Sequence, residues 1–362
     1  MKVGILKESD EPRVAITPAG CKALKSLGLS PLVEGKSGAL SGYLDAEYAE
    51  FAEIADRSKI FSESDILISI NPLSLDEYKG LKKGALLISM FAPYLDDTLS
   101  KQLLEAGYQT MSLDMIPRIT IAQSMDVLSS MASIAGYKAV LLAADTLDKY
   151  MPMMMTAAGT VKPAKVVILG AGVAGLQAIA TARRLGAVVE VSDPRTAVKE
   201  EVKSLGGRFI EIEGAVDDSG AGGYAVEQSE EFLKRQRELV QQKSAEADIV
   251  ITTAQVRGRK APMLLPKETV EKMRSGSVIV DLAASTGGNC AFTENGKTIK
   301  HNGVTIIGDS DLSASMPRDA SMMFSNNIIS YMKQFIVDGQ LNLDLENEII
   351  NSSLYSKPEQ NV

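Results

Sequence analysis

Lys165-Val-Val-Ile-Leu-Gly-Ala-Gly-Val-Ala-Gly175 decides the reading of this chain. Val166 to Leu169 form a short apolar run suited to a buried strand. Gly170, Gly172 and Gly175 complete G-x-G-x-x-G, Val173 and Ala174 fill its gap, and a helical segment follows from Leu176 to Leu185. A second apolar strand, Ala187–Val191, ends in Ser192-Asp193. Each piece has a physical task. The first glycine permits a tight turn, the second lets the backbone approach a pyrophosphate, and the third lets helix and strand pack closely. The helix N-terminus offers free N–H groups and the positive end of its dipole to the phosphates. Asp193 can accept hydrogen bonds from ribose hydroxyls and repels a 2′-phosphate, so the pattern predicts binding of NAD(H) rather than NADP(H).

Outward from that stretch, 362 residues suggest two domains, and an apolar share of 45% suffices for sizeable cores. A net charge of −8 argues against nucleic acid as a partner. No apolar run is expected to reach membrane-spanning length. Met1-Lys-Val-Gly-Ile-Leu6 reads as a first strand rather than a signal peptide. Cys21 and Cys290 are too few for a disulfide framework and fit a reducing compartment. The single histidine, His301, sits in a polar Lys-His-Asn-Gly stretch that reads as a solvated turn, and no His/Cys cluster suggests a metal.

Short strands alternate with helical segments in the N-terminal third. Strands are expected at Lys2–Leu6, Ser30–Glu34, Ile66–Ile70, Ala85–Ser89 and Tyr108–Ser112, and helices at Pro18–Leu27, Leu73–Lys79 and Leu95–Ala106. Such alternation implies a parallel α/β sheet. A long helix from Val127 to Lys149 is expected to lead into the Rossmann unit, which continues through strands at Arg208–Ile212, Asp248–Thr253, Ser277–Asp281 and Val304–Ile307. Between them lies Gly214–Gly223, a glycine-dense loop expected to be mobile, then a charged helix from Tyr224 to about Ala245. Helical spacing after Pro317 (Met322, Met323, Phe324, Ile328, Ile329, Met332, Phe335) predicts a helix that returns to the first domain. The fold expected is α/β: two Rossmann-like domains with parallel sheets and an inter-domain cleft, one carrying the NAD fingerprint. The N-terminal domain would span 1–126, completed by about 318–350; the NAD(H)-binding domain would span 127–317; 351–362 would be a polar, mobile tail.

Several strings go beyond a generic dinucleotide-binding protein. Lys7-Glu8…Arg13-Val-Ala-Ile-Thr-Pro18 resembles the opening of the alanine dehydrogenase and transhydrogenase superfamily. Pro117-Arg-Ile-Thr-Ile-Ala-Gln-Ser-Met-Asp-Val-Leu-Ser-Ser130, Ala135-Gly-Tyr137, Met153-Met-Met-Thr-Ala-Ala-Gly-Thr160 and Gly287-Gly-Asn-Cys290 resemble proton-translocating NAD(P) transhydrogenases, specifically their NAD(H)-binding domain I. The resemblance runs from residue 1 to about 345. It implies direct hydride transfer from NADH to NADP+ held by a partner domain III, coupled to proton translocation through a membrane domain II. It also implies a homodimer, and a cytoplasmic location peripheral to the inner membrane through partner subunits. With one fingerprint, the chain looks like domain I alone, as a separate subunit or a fragment.

By that resemblance Arg118, Gln123, Asp126 and Ser129 position the nicotinamide. Asp126 and Arg118 would hold opposite ends of its carboxamide and pair with each other, Gln123 would reach across an interface, and Ser129 would fix the amide rotamer. Tyr224 would belong to a loop that closes over nucleotide. A salt-bridged turn and an ordinary loop tyrosine are the plainer readings of these residues. Met153–Met155 reads as core packing more readily than as a cofactor lining. Asp281, at a strand end, is a further but unspecific candidate. The rival activity is alanine dehydrogenation, which needs a proton carrier and a carboxylate anchor. By resemblance it would use a Lys where Ser69 stands, a His between residues 85 and 100 where none occurs, and an Asp near Ser285. A non-catalytic NAD(H)-sensing subunit is the third reading.

Overall fold

The computed structural model describes residues 1–212 and 230–355. Its contacts divide the chain into two compact units. One comprises Met1–Met131 with the segment from Ala314 onward, the other Ala132–Ser313.

The first unit is built on a seven-stranded sheet. Its order is Leu354–Tyr355, Gln109–Ser112, Leu86–Ser89, Ile66–Ile68, Lys2–Ile5, Ser30–Glu34, Glu53–Ala55. Every pairing is parallel except that of Leu354–Tyr355 with Gln109–Ser112. Ile66–Ile68 and Leu86–Ser89 are buried throughout, as central strands covered on both faces must be. The Pro317–Met332 helix starts on its proline and returns to this unit as expected: Phe324, Ile328 and Met332, with Phe335 beyond its end, join Val3, Ile5, Ile68 and Ile88 in one core. Hydroxyls stitch it to the opening segment, Ser321 accepting from the Val14 N–H at 2.9 Å and Ser325 from that of Thr17 at 3.2 Å.

The second unit repeats the order of the first five strands. Its sheet runs Arg208–Phe209, Val188–Ser192, Lys165–Leu169, Ile249–Thr252, Val278–Asp281, Val304–Gly308, Lys297–His301, parallel except for the last pair. In each unit the first strand is central, the second and third lie to one side, and the fourth and fifth to the other. Strand order therefore reverses beside the first strand, where the carboxyl ends open a crevice for a ligand.

The Val127–Thr146 helix ends three residues before the expected Lys149. It is long and apolar enough to cross a membrane, contrary to the expectation that no such run exists. Its first turn packs in the first core through Val127, and Ala135, Ala139, Val140 and Ala143 pack in the second, so its apolarity serves burial. Other expectations need correction. Leu73–Lys79 is not helical: Tyr78 is buried, its hydroxyl takes the Leu73 N–H at 3.1 Å, and Glu77 folds back on Ser74. Met153–Met155 is not core. Met154–Thr156 pairs with Gly159–Val161 in a hairpin, and Met153 and Met155 are 58% and 74% exposed. His301 closes an edge strand rather than occupying a turn, its ring stacked on Phe292 with centroids 3.8 Å apart. Residues 351–355 are not a loose tail: the Glu348–Ser353 helix leads into the Leu354–Tyr355 strand.

Candidate functional site: a dinucleotide cradle and a positioning loop

The fingerprint occupies the switch point of the second sheet. Lys165–Leu169 ends at Gly170, whose φ of +109° is a backbone conformation that side chains rarely adopt. The Val173–Arg184 helix starts at once, with Gly172 as its N-cap and no side chain capping the first turn. Those N–H groups stay available to an anion. A Cβ on Gly172 would meet nothing within 4 Å, so the open space there lies directly over backbone. A Cβ on Gly175 would fall on the carbonyl oxygen of Gly170, which makes this glycine the condition for helix and turn to pack. Behind the turn, a Cβ on Gly136 would strike the Ala174 carbonyl, so the Val127–Thr146 helix backs the cradle at backbone distance. Val173 is exposed and Ala174 half-buried.

Asp193 follows the second strand, as the spacing predicted. Its side chain is only 4% exposed, and its oxygens accept from the Ala171 N–H at 2.7 Å and the Arg195 N–H at 2.9 Å. The Arg195 guanidinium adds two bonds of 3.0 Å each. Burial by itself would raise this carboxyl; the guanidinium and the two backbone donors outweigh it and hold the group below the usual range. An uncapped helix start, open space over Gly172 and an ionised carboxylate at the second strand's end together suit a dinucleotide.

The four residues expected to handle the nicotinamide lie in the first unit, on one short stretch. A 3₁₀ segment, Thr120–Met125, is pinned by buried Ala122 and Met125 and by the Asn327 side-chain amide, which donates to the Ser124 carbonyl at 2.8 Å. Arg118, Ile121 and Gln123 are left exposed, Ile121 at 73%. Asp126 and Ser129 are brought together: the carboxylate accepts the Ser129 N–H at 2.9 Å and its hydroxyl at 2.6 Å, capping the long helix. The expected Arg118–Asp126 pair is not formed. Among the described residues Arg118 has no ion pair, and Asp126 turns each of its oxygens to Ser129. Tyr224 and Gly214–Gly223 lie outside the described residues.

Asp281 is structural. Fully buried, it accepts from the Thr252 and Thr293 hydroxyls and from the N–H groups of Ala283, Asn289 and Cys290, which fixes the Gly287-Gly288 turn. Asn289 in turn bonds Ala254 and Pro262, ordering the loop after Ile249–Thr252. One of the positions where alanine dehydrogenation would need chemistry, that of the lysine, holds a serine already bonded to its neighbour: Ser69 donates to Ser89 at 3.3 Å. Arg195 was not singled out by sequence reasoning; its place two residues after Asp193 was the available signal.

The chain matches the family described as "Alanine dehydrogenase/PNT", its N-terminal domain over residues 4–135 and its C-terminal domain over 139–361. It is 40% identical to an NAD(P) transhydrogenase subunit alpha polypeptide of Rickettsia prowazekii, covering 99% of this chain and 95% of that protein. The crystal structure of a transhydrogenase from Sinorhizobium meliloti superposes with a TM-score of 0.90 at 41% identity, covering 98% of each chain. Alanine dehydrogenase of Staphylococcus saprophyticus is 26% identical over 98% of this chain and 92% of its own length. On these matches over nearly the whole chain, it belongs to the alanine dehydrogenase/PNT family, on its NAD(P) transhydrogenase alpha-subunit branch.

Proposed function

We propose that this chain is the NAD(H)-binding domain I of a proton-translocating transhydrogenase, and that it presents NADH for direct hydride transfer to NADP+ carried by a partner domain III. The observation that carries this reading is the uncapped fingerprint helix beside an ionised Asp193, together with exposed Arg118 and Gln123 on a segment pinned by Ala122, Met125 and Asn327. NAD(H) when bound supplies the hydride. The protein's own task is alignment, since hydride transfer between two rings needs neither a protein acid nor a metal. Val173, Ala174 and Gly175 would give N–H groups to the pyrophosphate, and Asp193 would accept from the adenine ribose. Arg118 and Gln123 would orient the nicotinamide amide and meet domain III. Asp126 would offer the same amide a carboxylate already steered by Ser129. Tyr224 would close over the nucleotide. The exposed methionines of the Met154–Thr156 hairpin favour a homodimer, and a membrane domain II would tie the assembly, from the cytoplasmic side, to the inner membrane.

Stopped-flow transfer between this chain with NADH and NADP+-loaded domain III is the test. Arg118→Ala and Gln123→Ala are expected to slow transfer by about a hundredfold while NADH affinity changes by less than about threefold. Equal loss of both would contradict alignment. NADH formation from L-alanine and NAD+, without transfer to domain III, would establish the dehydrogenase instead.

A further inference from the structure

The carboxylate at the fingerprint's ribose end has no acceptor capacity to spare. A carboxylate offers about four lone-pair positions. In Asp193 one oxygen accepts from the Arg195 N–H and Nε, the other from the Ala171 N–H and the Arg195 terminal nitrogen. The backbone bonds belong to the turn. The two guanidinium bonds do not: they join a side chain that is 45% exposed to one that is 4% exposed. A ribose diol can reach Asp193 only by replacing Arg195. The other cation close by in sequence, Lys199, is engaged with Glu211 at 2.5 Å, and Arg195 faces Glu201 as well as Asp193.

We propose that Arg195 is a specificity-determining residue of the nucleotide site, competing with the ribose for Asp193 and, once displaced, offering its guanidinium to a 2′-phosphate. The proposal rests on Asp193 being the ribose acid. A bare acid at this place excludes a 2′-phosphate by repulsion, whereas a planar guanidinium binds phosphate with paired, charge-assisted bonds. The pair together carries no net charge. The chain therefore binds NADH less tightly, and rejects NADPH less strictly, than Asp193 alone would make it.

The test is calorimetric titration of the full chain and its variants with NADH and with NADPH. Arg195→Ala is expected to tighten NADH severalfold and to widen the NADPH:NADH ratio of dissociation constants by about tenfold, a change of the size carried by one charge-assisted contact. Arg195→Lys keeps the charge but not the fork and is expected to fall between. Thermal melts show whether each variant is folded, and the exposed position of Arg195 makes that the expected result. Asp193→Asn separates the two levels. If it leaves NADH affinity and the ratio unchanged, the ribose assignment fails and the proposal with it. If it shifts the ratio while Arg195→Ala moves the ratio by less than twofold, or weakens both nucleotides equally, Asp193 keeps its place and Arg195 only props it.

Discussion

The two units share the order of their first five strands and differ in chemistry at the carboxyl end of the first strand. In the second unit that place is hollowed by glycine and left to a ligand. In the first unit the strand Lys2–Ile5 runs on into Leu6-Lys7-Glu8, and the protein supplies its own carboxyl group. Glu8 accepts the N–H of Ile70 at 2.6 Å and that of Asn71 at 3.3 Å, just past the neighbouring strand. An open groove of about 610 Å³ adjoins it, lined by Lys7, Glu8, Asp10, Glu11 and Arg57 among others. The same topology thus yields two outcomes, and the difference lies in a few side chains rather than in the fold. The two carboxylates also answer oppositely to their surroundings. Burial lifts Glu8 from its ordinary 4.5 to about 7 against the pull of its two backbone donors, whereas Arg195 and backbone donors overcome burial at Asp193 and depress it.

The largest expected effect comes from comparing tight glycines in the two units. Gly175→Ala drives a Cβ into the Gly170 carbonyl, which cannot yield without opening the turn. A loss of about 3 kcal/mol or more is expected, with NADH binding lost as well. Gly4→Ala, in the first strand of the first unit, meets side-chain atoms of Ser64, Ile60 and Leu67 rather than backbone. About 1–2 kcal/mol is expected there. Denaturant unfolding of both variants checks the contrast; equal losses would mean that the cradle is no stiffer than the other sheet.

A smaller effect is expected from Glu8→Gln, which keeps an acceptor for Ile70 and removes the titration. In the wild-type chain Glu8 holds a proton between about 4.5 and about 7 that the unfolded chain has released. Stability is therefore higher below that window and falls as pH rises through it. The variant is expected to flatten that fall and to be more stable at pH 8 by about 1–3 kcal/mol. The sign is reversed at Asp193: its depressed carboxyl stabilises the fold above the ordinary carboxylate range, and that contribution is lost on acidification. Denaturant melts between pH 4 and pH 8 read both, and a Glu8→Gln profile parallel to wild type would remove Glu8 from the account.

The cradle was legible in sequence because each of its parts is a local constraint. A positive φ, a close approach and a capless helix start each demand a residue type at a fixed spacing, so Gly170, Gly172, Gly175 and Asp193 could be read in order. Buried parallel strands such as Ile66–Ile68 were legible because they are continuously apolar. Elements at the edges were not. Glu53–Ala55 is a partly exposed strand with little periodicity, and Lys297–His301 alternates too weakly to mark itself. Met153–Met155 looked like core because hydrophobicity alone cannot tell a buried strand from an exposed hairpin. Arg195, and the engagement of Asp126 by Ser129, depend on which partner a carboxylate chooses, and that is decided by three-dimensional neighbours.

The smallest effect distinguishes the units by their cysteines, one in each. Cys21 is wholly buried, and burial pushes its thiol up to about 12; Cys290 is 2% exposed and raised for the same reason, with backbone donors from Phe292 and Thr293 and the Thr293 side chain pulling the other way. Neither is expected to react with iodoacetamide at pH 8 except through opening of the surrounding structure. Bound nucleotide stabilises what it touches by mass action. Saturating NADH is therefore expected to slow alkylation of Cys290, whose turn is tied through Asp281 and Asn289 to the strand ends beside the cradle, by more than about threefold beyond its effect on Cys21. Mass spectrometry of time-resolved labelling reads both sites in one experiment. Equal protection would show that the two sheets open together, and that the contrast between them stops at the chemistry of their strand ends.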